Sequence, residues 1–471
     1  MANNPISRRS FFRSSAASAA GLAFSGAFAA FAGDENPPNI IWLIGDDVGP
    51  KEIGCYGHPT IRTPNIDALA VGGVRFTNAF VAASSCSPSR CSCFTGKYPH
   101  STGAENLHDP LPEGQTVLPR YLASAGYFSG SVGKFHMGAA AEKQFDRVLG
   151  KVENWKDFLN ERPQNRPFFL SVGFIDAHRP FDKGCVDPPY RREDVIVPPY
   201  LPDIPEVRDD LAGFYDEISR MDRVIGEIAS YLRQQELLDN TLIVFFGDNG
   251  IPFPRAKFTI YDSGIQTPLI VQWPAQFNGG QVYNGLISLV DLAPAMLQSA
   301  SLPIPPEMEG IGFLELLTNP GGREREYIFA ERNWHDFDDH SRAVRDQRFK
   351  YIRNAFPDKP LETSADSLAT PMFEKIRRMR DAGTLTKEQM LLFRSRRAPE
   401  ELYDLEIDPH EFRNIVNEDA YSTVLERMRR ALDRWIEETH DIPPSRALPD
   451  EFDPETGKRI RPPHQDQAKS Q

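Results

Sequence analysis

The stretch Asn39-Ile40-Ile41-Trp42-Leu43-Ile44-Gly45-Asp46-Asp47 sets five apolar residues in a row and then stops on a glycine and two acids. A short continuous apolar run bounded by turn residues reads as a buried strand. Three later stretches repeat the pattern. Tyr127 to Val132 precedes Gly133-Lys134-Phe135-His136, Phe168 to Phe174 precedes Asp176-Ala177-His178, and Thr241 to Phe246 precedes Gly247-Asp248-Asn249-Gly250. One acid after one strand is a turn former or a helix cap. Four polar endings on one sheet would instead converge on a single rim, and ligands of open α/β sheets bind beyond the carboxyl ends of the strands.

Working outward, residues 38–315 alternate β-rich runs with helical patterns. The expected fold class is α/β, with a large mixed, mainly parallel sheet flanked by helices. Asp209 to Arg233 places Leu211, Phe214, Ile218, Met221, Ile225 and Ile228 at helical spacing. Beyond residue 320 the pattern changes. Tyr327 to Ala330, Ser341 to Val344, Phe349 to Ile352 and Glu401 to Leu405 read as strands of a smaller antiparallel sheet, and Tyr421 to Glu438 as an amphipathic helix. The expected organisation is therefore a leader at 1–32, a catalytic domain at 33–319, a C-terminal α+β subdomain at 320–442 and a polar, Pro-rich tail at 443–471, extended or frayed.

The leader reading rests on Ser7-Arg8-Arg9-Ser10-Phe11-Phe12-Arg13, an Ala/Gly/Phe-rich stretch to Ala32, and Ala30-Phe31-Ala32 before Gly33. These match a twin-arginine export signal with its cleavage site, which predicts passage through the twin-arginine translocase to a periplasmic or extracellular location. No later segment is long and apolar enough to span a bilayer. The chain has 471 residues, 40% hydrophobic and 25% charged, with a formal net charge of −13. That acidity argues against a nucleic-acid partner. It does not argue against an anionic substrate, because a local cluster of cations can reverse the field inside one cleft. Five cysteines (Cys55, Cys86, Cys91, Cys93 and Cys185) are too few and too odd in number for a disulfide framework. The sequence leaves oligomeric state open, a dimer included.

Asp46, Asp47, Asp248 and Asn249 are hard oxygen donors, suited to Ca²⁺ or Mg²⁺ rather than to zinc or copper. Cys86-Ser87-Pro88-Ser89-Arg90, with Thr95-Gly96 at the end of the same segment, resembles the signature C-x-P-[SA]-R…T-G of the sulfatase family. The resemblance extends over nearly all of the chain after residue 32. It implies an alkaline-phosphatase-like fold, one calcium ion held by Asp46, Asp47, Asp248, Asn249 and residue 86, and oxidation of Cys86 to formylglycine by a maturation enzyme. The hydrated aldehyde would offer one hydroxyl to attack sulfur and a second that lets sulfate depart. If Cys86 opens a helix, the amides at that end would also favour an anion.

The same resemblance gives roles to the other rim residues. Lys134 and His136 lie in GKFHMG, His178 in DAHRPF, and Lys257 nine residues after Asp248. Lys134 and Lys257 would hold sulfate oxygens, His136 would assist proton transfer at the nucleophile, His178 would act near the leaving group, and Arg90 would hold the hydrate and balance the acids. Within the family, GDNGIPFP (247–254) and WIEETHD (435–441) resemble the heparan N-sulfatases. A sulfated saccharide, with the N-sulfate of glucosamine in heparan-type glycans as the first choice, is then the expected substrate. Asp176, His335, Asp336 and Arg342 are candidates to contact its hydroxyls or a uronate. Cys91 and Cys93 depart from the small or apolar residues usual after the signature. Two other enzyme readings share the site: an O-sulfatase acting on another glycan, and a phosphate or phosphonate monoester hydrolase. A sugar-binding protein with a degenerate site is the non-enzyme reading, and it would be expected to have lost a residue that this chain retains.

Overall fold

A computed structural model describes residues 37–318 and 324–462. The leader reading falls at 1–32, outside the described residues. Among those described, no helix is long and apolar enough to cross a membrane.

The eight strands of the larger sheet are β1 (Asn39–Gly45), β2 (Val74–Phe80), β3 (Phe128–Gly133), β4 (Arg147–Leu149), β5 (Phe168–Gly173), β6 (Thr241–Gly247), β7 (Gln266–Gln272) and β8 (Gln281–Ser288). Their order is β4-β3-β5-β1-β6-β7-β2-β8, and β7 runs against both of its neighbours while the other pairings are parallel. The sheet is thus mixed and mainly parallel, as expected from the sequence. The four polar-ended runs are the neighbouring strands β3, β5, β1 and β6, so their carboxyl ends do share one rim.

The period of two assigns β1 to two cores at once. Ile40, Trp42 and Ile44 join the cluster on one face, and Ile41 and Leu43 the cluster on the other. Trp42 packs edge-on against Phe94, Phe169 and Phe246, with centroids 4.7–5.6 Å apart. Three helices matter most beside the sheet: α1 (Pro64–Val71), α2 (Cys86–Thr95) and α3 (Pro205–Gln234). The helix α3 begins four residues before the sequence pattern suggests, with Pro205 in its first turn. Its middle carries buried acids that the apolar spacing does not reveal. Asp216 accepts the backbone N–H groups of Gly184 and Tyr190, and Glu217 that of Asp182.

The smaller sheet has the order β12-β11-β10-β9, all antiparallel: β9 (Ile328–Arg332), β10 (Ser341–Arg345), β11 (Phe349–Asn354) and β12 (Glu400–Asp404). Two further helices follow in this half, α4 (Pro371–Asp381) and α5 (Ser422–Thr439). Trp435 of α5 stacks on Phe329 of β9 and meets Tyr98 edge-on. Strand β9 joins the larger body directly, since Glu331 N–H donates to Ala82 O at 2.7 Å, just ahead of α2. The tail after Asp441 is extended, and polar bonds tie it down. Asp338 N–H donates to Asp450, Lys359 pairs with Asp450 at 2.8 Å, and the buried Glu451 pairs with Arg459 at 2.8 Å.

Candidate active site

Strand ends pack closely at the rim. A side chain on Gly173 would meet Lys134 O at 2.1 Å and Arg90 Nη1 at 2.9 Å, so only glycine lets these two groups pass. Through that gap Arg90 donates from Nη1 to Lys134 O and from Nε to Asp248, both at 2.8 Å. Asp46 and Asp47 follow β1, Asp248 and Asn249 follow β6, and Cys86 is the first residue of α2. One ligand atom from each of Asp46, Asp47, Cys86 and Asp248 lies within 4.8 Å of the others, and all four residues are buried. Cys86 Sγ is 3.4 Å from Asp46 Oδ1 and 3.8 Å from Asp47 Oδ1.

The donor set fits a hard divalent cation. Asn249 donates through Nδ2 to Asp47 Oδ1 at 2.6 Å and to Gly250 O at 2.9 Å, and its Oδ1 is a buried acceptor without a partner. A buried acceptor beside three converging carboxylates is costly unless a cation or donor meets it. Burial opposes ionisation of Asp46, yet Lys134, His178, Arg90 and Lys257 together hold its carboxyl well below the usual range. Asp248 goes the other way: burial and the neighbouring Asp46 push it up to about 7 despite Arg90. A divalent cation is what relieves such crowding.

The cations form an outer ring. Lys134 Nζ lies 2.5 Å from Asp46 Oδ2, and Lys257 Nζ lies 2.7 Å from Asp47 Oδ2. Burial works against the charge on each lysine, but these acids keep both protonated. His178 Nδ1 is 2.6 Å from Arg179 O, and a carbonyl only accepts, so the proton sits on Nδ1. That leaves Nε2, 3.9 Å from Asp47 Oδ2, for the cleft. His136 Nε2 meets His108 Nδ1 at 2.8 Å, and its own Nδ1 is buried without a partner. Burial and then Lys134 lower His136 to about 2, so it stays a neutral imidazole in the acid-to-neutral range. Burial pushes the Cys86 thiol well up, and an unionised thiol is a poor nucleophile.

The four residues considered for sugar contacts lie in different settings. Arg342 is buried, bound through Nε and Nη2 to Asp441 and through Nη1 to Asn333 at 2.9 Å. Asp176 is clamped by Arg220 through two bonds of 2.8 and 3.1 Å. His335 is buried against the Phe258 ring, and its Nδ1 is 3.0 Å from Asp336 Oδ2, an ion-pair contact without hydrogen-bond alignment. Asp336 in turn accepts Ala365 N–H at 2.7 Å. The next residue, Asp366, escapes the sequence reading, although its carboxylate comes within 3.5 Å of Lys257 Nζ. It sits in LETSADSLATP, where an acid reads as a helix cap, and only the fold brings it to the rim. His108, on the other side, is likewise visible only through its contact with His136.

A family model described as Sulfatase matches residues 38–158 and 151–302, which together carry the whole cation-and-acid cluster. The chain belongs to the sulfatase family. A second model, described as N-sulphoglucosamine sulphohydrolase, C-terminal, matches residues 255–362 of this sulfatase. An ulvan-active sulfatase of Formosa agariphila is 32% identical over 85% of this chain and 74% of its own. The N-sulphoglucosamine sulphohydrolase of Homo sapiens is 31% identical over 86% of this chain and 91% of its own. Among solved structures, a 2-O GAG sulfatase superposes with a TM-score of 0.68 at 20% identity, covering 92% of this chain and 100% of that one.

Proposed function

We propose that this sulfatase hydrolyses the N-sulfate of glucosamine in heparan-type saccharides, with residue 86 oxidised to formylglycine and one calcium ion held by Asp46, Asp47, Asp248, Asn249 and residue 86. The observation that carries the formylglycine reading is Cys86 itself: it is buried at the head of α2, between Asp46 and Asp47, where its thiol is unreactive. The substrate reading rests on the match of residues 255–362 to the N-sulphoglucosamine sulphohydrolase C-terminal model, and on the human relative.

Formylglycine would supply the nucleophilic hydroxyl, and calcium would polarise it and screen the anion. The protein's own groups do the rest. Lys134 and Lys257 bind sulfate oxygens from two sides, each set in place by an acid of the cluster. Arg90 orients Asp248 and neutralises it. His136, neutral and buried, would orient the nucleophile by hydrogen bonding. His178, its tautomer set by Arg179 O, delivers a proton from Nε2 to the leaving nitrogen once charged. Asp366, adjoining Lys257, accepts a hydrogen bond from the departing amino group. Maturation by a formylglycine-generating enzyme and export by the twin-arginine route belong to the same proposal.

A panel of heparan disaccharides carrying N-, 2-O- or 6-O-sulfate singly tests it, with protein co-produced with a maturation enzyme and calcium present. Release of N-sulfate alone is expected. Release of an O-sulfate alone overturns the substrate class and favours the O-sulfatase reading, which the ulvan-active relative supports.

A further inference from the structure

Away from the catalytic cleft, a cavity of about 530 Å³ opens where the segment after β1, the loop at 196–200, the start of β7 and the loop at 405–411 of the C-terminal half meet. None of the catalytic cluster lines it. A volume of this size, between two structural units, is typical of small-molecule sites. Rings of Tyr56, Tyr200 and Tyr215 and the flat faces of Pro50, Pro198 and Pro199 form much of the wall. Tyr215 is fixed by His58 Nε2 at 2.8 Å.

One charged residue of the wall stands without a direct partner. Glu52 is only 9% exposed, and its carboxylate makes no hydrogen bond or ion pair with another described residue. Its Oε2 lies 2.6 Å from where a side chain on Gly49 would begin, so the absence of that side chain seats the carboxylate there. Burial pushes the carboxyl up to about 7 even though the adjacent Lys51, also on the wall, draws it down without making an ion pair with it. The other acids of the wall are already matched. Lys350 holds Asp262 at 2.5 Å and Glu411 at 2.8 Å, and Arg345 holds Asp262 at 3.2 Å.

We propose that this cavity is a second ligand site, for a small organic ammonium ion with an apolar face, of about amino-sugar size. Glu52 takes the charge, and the tyrosine and proline faces cover the ring. A neutral apolar guest would leave the carboxylate buried and unpaired. An anion would meet it directly. The site stands apart from the sulfate specificity proposed above, and the failure of either leaves the other intact.

Titration calorimetry on the mature full chain near neutral pH, with D-glucosamine as probe, tests this. One glucosamine per chain that depends on Glu52 is expected, beyond any the catalytic cleft takes as product, and undisturbed by excess inorganic sulfate in that cleft. N-acetylglucosamine, which lacks the charge, should bind at least about tenfold more weakly. Glu52→Gln should weaken glucosamine by a similar factor. So should Ile196→Trp, a change at a half-exposed wall position that fills the cavity mouth without disturbing the core. Absence of binding, equal affinity for the acetylated sugar, undiminished affinity in both variants, or displacement by sulfate would each overturn the proposal.

Discussion

Two regions of this sulfatase bury charge densely, and they do so in opposite ways. Around the smaller sheet, buried charges close on one another: Arg342 with Asp441, Arg397 with Asp339, and Arg325 with Asp291. At the rim of the larger sheet, three acids face three cations, yet Asn249 Oδ1 and Arg90 Nη2 are left without partners. Closed sets hold subdomains together, whereas open ones await a ligand. Burial and charge do not separate architecture from chemistry until the partners have been counted.

Breaking the open set should cost turnover above all. Replacing Cys86 with Ala should lower sulfate release by about 10⁴-fold or more while the melting temperature changes little. Loss of activity accompanied by unfolding would blur the contrast. Breaking the closed set should do the reverse. Arg342→Leu strands Asp441 and should destabilise by about 3–5 kcal/mol in chemical denaturation. Near-normal KM in whatever folds would keep Arg342 out of the substrate site, whereas a selective rise in KM would return it there. Calcium should stabilise only through the open set. At a hundredfold excess over Kd it should add about 2.7 kcal/mol to the chelated protein, and Asp47→Asn should abolish most of that gain. Asp366→Asn should reduce kcat by about tenfold, roughly 1.4 kcal/mol, with stability unchanged. An unaltered kcat removes Asp366 from the leaving-group side. The smallest effect is expected at the exposed Arg353–Asp433 pair, 2.8 Å apart, where Asp433→Ala should shift stability by no more than about 1 kcal/mol.

Much of the fold could be read from residues that carry their signal locally. The run from Ile40 to Ile44 announces a buried strand because both of its faces are apolar, and the acids at its end mark the rim. The motif around Cys86 did the same for the site. Asp366 is not legible in the sequence because its approach to Lys257 depends on a segment 109 residues away folding back over the rim. Arg342 shows the complementary limit: its partner Asp441 lies 99 residues away, so the pairing cannot be seen in the local sequence. The start of α3 was missed because its first turn, Pro205-Glu206-Val207-Arg208, offers capping chemistry rather than apolar spacing. The tail at 443–462 reads as polar surface, and its attachments to Asp338 and Lys359 are not encoded within it.

The helix α2 carries one more implication. All ten of its residues are buried, and Cys86 is 2% exposed. An enzyme that must grip this segment to oxidise residue 86 can do so only while the chain is still open. If residue 86 is oxidised and the protein exported as proposed, burial imposes a sequence of events on biosynthesis: modification first, closure of the fold second, and translocation of the finished protein last. On that proposal, a molecule that folds before it is modified is locked in an inert form by the same packing that would have made it an enzyme.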